Sequence, residues 1–113
     1  MNRYKDRLLE IAKLEDGWFD GTGKVPSKSG LDWLTELLST YPEDLPKFYT
    51  YPVPDGTIQL EWPIDKHELE LVVNVDTHKA DFFVFSPDSV NDSENIVDLN
   101  TDWNAVLTII RSI

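Results

Sequence analysis

Residues 57–75 run Thr57-Ile58-Gln59-Leu60-Glu61-Trp62-Pro63-Ile64-Asp65-Lys66-His67-Glu68-Leu69-Glu70-Leu71-Val72-Val73-Asn74-Val75, and two alternating patterns meet across a short turn in them. Ile58, Leu60, Trp62 and Ile64 alternate with Gln59 and Glu61. Leu69, Leu71, Val73 and Val75 alternate with Glu68, Glu70 and Asn74. Side chains on a strand point to opposite faces with period two, so each segment has one apolar and one wet face. The link Asp65-Lys66-His67 is too short for a crossover, so the strands expected at 57–64 and 68–75 pair antiparallel. Upstream, Pro54-Asp55-Gly56 is a turn, and 48–53 reads as a further strand whose Pro52 suits a sheet edge. Downstream, Asp76-Thr77-His78-Lys79 turns the chain into a fourth strand at 80–86. A polar loop is expected at 87–95 and a short fifth strand at 96–99.

The flanks change period. Tyr4, Leu8, Ile11 and Ala12 share one face of a helix expected at 3–14. Three glycines within seven residues, Gly17, Gly21 and Gly23, then break regular structure. Pro26 and Ser27 open a second helix, with Ser27 or Ser29 as its cap. Leu31, Leu34, Leu37, Leu38 and Tyr41 recur along it until Pro42. A last helix follows Asn100 or Thr101, carrying Trp103, Val106, Leu107 and Ile110. Helices gathered at the ends, around an antiparallel meander of four or five strands, give an α+β class with one domain over residues 1–113.

The 113 residues include 10 Lys+Arg, 21 Asp+Glu and no Cys, for a net charge of −11. The missing cysteines exclude a disulfide scaffold and a thiol nucleophile. No apolar run reaches the roughly 20 residues that span a bilayer, and no leader-like stretch follows the N-terminus, so a cytoplasmic, non-membrane chain is expected. The charge disfavours direct contact with nucleic acid or anionic membrane. It is also uneven. No Lys or Arg occurs from Ala80 to Ile110, a stretch holding Asp81, Asp88, Asp92, Glu94, Asp98 and Asp102.

Motif fragments do not assemble into a catalytic site. Gly21-Thr22-Gly23-Lys24 lacks the upstream Gly and following Ser or Thr of a phosphate loop. Asp16, Asp20 and Gly21 fit a calcium loop, but Trp18 and Ser27 stand where ligands belong. His67 and His78 fall in turns about 30 Å apart at the two ends of one strand, read as solvated, and cannot share a metal. Asn91-Asp92-Ser93 matches a glycosylation acceptor without the secretion signal that would make it relevant. No catalytic residue, metal or cofactor is assigned.

Two features point to binding. Glu61, Glu68 and Glu70 have the parity to share one face of adjacent strands, an open face better suited to binding than to acid–base work. Asp88, Asp92 and Glu94 add acid in the loop. Among the aromatics, Trp18 and Phe19 are adjacent in a Gly-rich loop and cannot both turn inward, which makes them candidate anchors. Phe82, Phe83 and Phe85 put apolar groups on both faces of the fourth strand, and core packing leads one to expect a helix or loop over each face.

The segments Gly17-Trp18-Phe19-Asp20-Gly21-Thr22-Gly23, Pro26-Ser27, Leu31-Asp32-Trp33-Leu34, Tyr41-Pro42, Tyr49-Thr50-Tyr51-Pro52-Val53-Pro54-Asp55-Gly56 and Ile58-Gln59-Leu60-Glu61-Trp62 resemble a group of small acidic bacterial proteins with no known activity. The resemblance covers roughly residues 8–75 and carries no catalytic residue over. Its bacterial and mobile-element setting implies an antitoxin-like, immunity-like or phage counter-defence role. Together these readings favour a non-enzymatic acidic protein, monomer or homodimer, that occupies a basic protein or a nucleic-acid-handling complex, with carboxylates standing in for phosphates. The alternatives are a small ligand-binding domain or hydrolase, with a pocket at Gly17–Gly23 lined by Asp16, Asp20 and Gln59, and a homo-oligomeric module joined through the fourth strand.

Overall fold

The computed structural model describes residues 3–87 and 92–113. In chain order these form helices α1 (Arg3–Ala12) and α2 (Lys28–Ser39), strands β1 (Tyr49–Pro52), β2 (Ile58–Ile64), β3 (His67–Asn74), β4 (Lys79–Phe85) and β5 (Ser93–Asp98), and helix α3 (Trp103–Ser112). The strands build one antiparallel sheet in the order β1-β2-β3-β4-β5, the meander that the short turns require.

The two-residue period sorts the sheet into two faces. Ile58, Leu60 and Trp62, Leu69, Leu71 and Val73, and Ala80 and Phe82 are all buried. They join Leu8 and Ile11 of α1, Leu31, Leu34 and Leu38 of α2, and Trp103, Val106, Leu107 and Ile110 of α3 in one core. All three helices therefore cover the same side of the sheet. Beneath them the Trp62 indole donates to the Tyr41 hydroxyl at 3.0 Å, and that hydroxyl donates to the Pro46 carbonyl, so these two buried polar groups are paired.

Local chemistry explains the ends of the elements. Ser27 caps α2 by accepting from the Gly30 amide at 3.1 Å, and it donates to Asp76 at 2.5 Å, tying the helix start to the β3–β4 turn. Gly30 is needed there: a Cβ would meet Val75 at 2.5 Å. At the β1–β2 turn the Val53 amide bonds the Thr57 carbonyl at 3.0 Å. By parity the amides of residues 59, 61 and 63 face β1. The missing donor of Pro63 thus falls beyond the last β1 pair, Tyr49 with Glu61, where no partner awaits it. Pro52 indeed lies on an edge strand.

Several expectations are corrected. α1 stops at Ala12, and the Lys13 and Leu14 amides close tighter bonds to Glu10 and Ile11. The fifth strand begins at Ser93 rather than Ile96, taking in the end of the supposed polar loop. An edge strand needs only backbone pairing to its one neighbour, so the exposed Ser93, Glu94 and Asn95 do not prevent it. α3 starts after Asp102, whose side chain makes no capping bond. Thr101 instead folds back, its amide and hydroxyl bonding the Asp98 carbonyl, and the Asn100 amide bonds the Asp98 carboxylate. Neither histidine is simply solvated, although His78 does lie in the β3–β4 turn as expected. His67 opens β3 and is half-buried with Nδ1 unpartnered. The His78 ring stacks on Trp33 with centroids 3.9 Å apart, and its Nδ1 meets the Asn100 side-chain Nδ2 at 2.9 Å.

Candidate functional site

Among the described residues, no helix lies over the second face of the sheet. Register lays its side chains out in rows. One row crosses all five strands as Tyr49, Glu61, Glu70, Phe83 and Glu94. The next reads Tyr51, Gln59, Val72, Asp81 and Ile96. A shorter one joins Pro63, Glu68 and Phe85. None of these residues is buried, and Tyr49, Tyr51, Phe85 and Ile96 are exposed outright, Ile96 at 75% and Tyr49 at 59%. This corrects the expectation that something covers both faces of the fourth strand. Phe82 enters the core, while Phe83 and Phe85 lie parallel on the open side with ring centroids 6.2 Å apart.

Glu61, Glu68 and Glu70 meet here. The Glu61 carboxyl hydrogen-bonds that of Glu68, which with partial burial and the charges of Glu68 and Glu70 holds its pKa above the usual carboxylate range. Glu70 is raised as well, first by partial burial and then by Glu68. Both shifts mark acids crowded together without a compensating cation. Among the strand residues Lys79 is the one basic side chain with the parity for this face, and it sits at the turn end opposite Asn74 and Asp98. Phe83 lies between Glu70 and Glu94, and Phe85 lies beside Glu68. Aromatic faces flanked by carboxylates attract cations twice, through the ring quadrupole and through charge.

The other sequence candidates are distributed differently. Glu94 joins the main row. Asp92 is exposed and accepts from the Ser86 amide at 2.6 Å and its hydroxyl at 3.1 Å, closing the β4–β5 connection. Asp88 lies outside the described residues. Trp18 and Phe19 belong to a small hairpin instead of the sheet face. The Phe19 amide bonds the Thr22 carbonyl at 2.7 Å and the Thr22 amide bonds back at 2.9 Å, around Asp20 and Gly21 with φ of 48° and 86°. Two positive φ values in a row are the twist a two-residue hairpin needs. The Trp18 ring lies across Gly23, with its Nε1 bonded to the Lys24 carbonyl at 3.3 Å. Phe19 projects outward.

The Gly-rich loop therefore closes on itself. Asp16 and Asp20 are exposed, Asp16 bracing the Val25 amide at 3.1 Å, and Gln59 sits in the open sheet face beside Tyr51. A concavity of about 210 Å³ beside this loop is lined by Lys24–Ser27, Asp55–Thr57, Asn74 and Asp76, without Asp16, Asp20 or Gln59. A larger groove of about 390 Å³ separates α1 from β1, with Arg7 and Lys47 among its walls. Arg7 is already engaged there, with Nε on the Thr50 carbonyl at 2.9 Å and Nη1 on Glu10 at 3.0 Å. Among the described residues no group of His, Cys, Asp and Glu side chains could hold a metal, and no helix is long and apolar enough to cross a membrane.

No protein-family model, curated protein or solved structure matches the chain. Functional inference rests on the geometry of this face. Tyr49, Tyr51 and Ile96 were the residues missed in the sequence. The signal for the two tyrosines was present, since the Pro54-Asp55-Gly56 turn fixes their parity with Gln59 and Glu61.

Proposed function

We propose that this protein is a non-enzymatic binding protein whose uncovered sheet face docks on a basic surface of a partner protein and blocks it by occupancy. One observation carries the reading. The face that no helix covers interleaves Glu61, Glu68, Glu70 and Glu94 with Tyr49, Phe83 and Phe85, and has a single strand lysine at its margin. Arg and Lys side chains of a partner would stack on the rings and pair with the carboxylates, while the aromatics supply desolvated anchors at the centre. The net charge of −11 adds long-range steering toward a basic partner. The resemblance to small acidic bacterial proteins favours an antitoxin-like, immunity-like or counter-defence setting, with a nuclease or other nucleic-acid-handling protein as the target and carboxylates in place of phosphates.

The test is affinity capture from the native host, washed at rising salt. The wild-type chain should retain one basic partner that salt releases. The triple variant Glu61→Lys, Glu68→Lys, Glu70→Lys should lose it, and Phe83→Ala with Phe85→Ala should weaken it while keeping the salt dependence. Equal retention by the triple variant at every salt concentration would remove this face from the function.

A further inference from the structure

The two edges of the sheet are finished differently. At β1 the outward-facing residues by parity are Thr50 and Pro52. The Thr50 carbonyl accepts from Arg7 at 2.9 Å, Thr50 itself is buried, and Pro52 has no amide hydrogen to offer. That edge is closed by the ordinary means proteins use against edge pairing. At β5 the Leu99 amide bonds the His78 carbonyl at 2.9 Å, and the register pairs Ala80 with Val97 and Phe82 with Asn95. The amides of residues 93, 95, 97 and 99 therefore face β4, and those of Glu94, Ile96 and Asp98 face outward. The Asp98 carbonyl is taken by the Thr101 and Asp102 amides at the entry to α3. The backbone groups of Glu94 and Ile96 have no partner among the described residues, and both residues are exposed. Among the described residues the five-stranded sheet thus ends in an open ladder, with no proline in β5 and no helix over it.

We infer that β5 is a strand-addition edge, taking an extended segment of the partner as a sixth antiparallel strand, with basic residues opposite Glu94 and Asp98 and an apolar residue opposite Ile96. The side chains of Glu94, Ile96 and Asp98 lie on the same open face as Phe83 and Glu70, so an added strand would extend the acidic and aromatic surface without a break. Charge chooses the occupant. A second copy pairing about Ile96 would set Glu94 against Asp98 of the other chain twice, and like charges directly opposite destabilise a ladder. A basic, alternating strand turns both contacts into attractions. Main-chain bonds supply affinity and the alternate side chains supply selectivity, as in other strand-addition sites. This inference rests on the proposed function above and specifies the form of its partner.

The test titrates the full-length ¹⁵N-labelled chain with the capped peptide KTVTKTV. A control peptide of the same sequence, N-methylated at its first valine and second lysine, has the same charge but lacks the amide donors that would face β5. With the first peptide, the Glu94, Ile96 and Asp98 amides should shift saturably, and exchange of the Glu94 and Ile96 amide hydrogens should slow. The control should do neither. Ile96→Pro deletes a donor the fold does not use. It should weaken binding about tenfold relative to Ile96→Ala, the worth of roughly one lost hydrogen bond. Its fold is checked by tryptophan emission. Should it misfold, Glu94→Lys with Asp98→Lys keeps every backbone donor and should still lose the peptide. Shifts confined to Glu61, Glu68, Glu70 and Phe83, with no protection at 94 and 96, would overturn strand addition and leave face docking intact. No saturable shift anywhere would overturn both. A concentration-dependent dimer by light scattering, dissolved by Ile96→Pro, would overturn the basic partner in favour of a second copy.

Discussion

At the scale of single residues the buried polar chain under the helices is a sensitive point. Tyr41→Phe removes the acceptor of the Trp62 indole and the donor to Pro46 at once. It should cost about 1–3 kcal/mol, since it leaves a buried donor unpaired, and a urea melt read by Trp fluorescence measures it. Glu61 gives a second, signed outcome. Its pKa and that of Glu70 are raised by folding, so the native state takes up protons more readily than the unfolded chain does. Their contribution to stability is then fully present below the ordinary Glu range and is lost as pH rises through the folded values. Glu61→Gln, which mimics the protonated form, should be more stable than wild type at neutral pH, with the advantage shrinking on acidification. Urea midpoints across a pH series check this. Asp55 runs the other way: bonds from the Thr57 hydroxyl and amide lower its pKa, so its contribution is lost as pH falls. Residue-level chemistry was half legible at α2, where Ser27 and Ser29 were both competent caps and Ser27 takes the role. It was not legible at α3, where Asn100, Thr101 and Asp102 are all competent caps and the tertiary position of Asp98 selects among them.

At the scale of elements, parity carried the most information. The alternation in 57–75 is enough to place Glu61, Glu68 and Glu70 together, because a turn that short leaves one register compatible with both apolar faces. Whether that face stays open is a different question. It depends on where three helices pack, and each helix announces only that it has an apolar stripe. Since the stripes of α1, α2 and α3 all converge on the Trp62 side, Phe83 and Phe85 are left facing water. Phe83→Ser with Phe85→Ser should therefore shift the urea midpoint little, far less than the roughly 3–5 kcal/mol expected for truncating the buried Phe82. The same pair should weaken partner capture while keeping its salt dependence. β5 was half legible for the converse reason: Val97 packs on the core, but Ser93, Glu94 and Asn95 are exposed and joined only by backbone pairing, so no apolar period announces them.

At the scale of the whole molecule, charge governs behaviour outside the core. The ion pairs Arg7–Glu10, Lys28–Asp32 and Arg111–Asp44 are exposed, and pairs of that kind contribute little. Repulsion among the remaining acids should be relieved by salt, whose screening length falls from about 10 Å at 0.1 M to about 3 Å at 1 M. Tm should rise by a few degrees, about 4 °C for 1 kcal/mol, between low and high sodium chloride, and the rise should be smaller for the Glu61→Lys, Glu68→Lys, Glu70→Lys variant. The same salt that stabilises the free protein should release its partner, so the two effects of one reagent are expected to have opposite signs.

The unequal finish of the two sheet edges has a consequence for assembly. A sheet with two open edges can propagate, each added chain presenting a fresh edge to the next, and the end point is a fibre. Here Arg7 and Pro52 terminate one side. Growth through β5 is disfavoured beyond one step, because a second copy arriving by its own β1 brings an edge whose Thr50 carbonyl is already held by Arg7 and whose Pro52 has no amide hydrogen. The protein is built as a chain terminator: it can accept a strand and cannot pass the offer on.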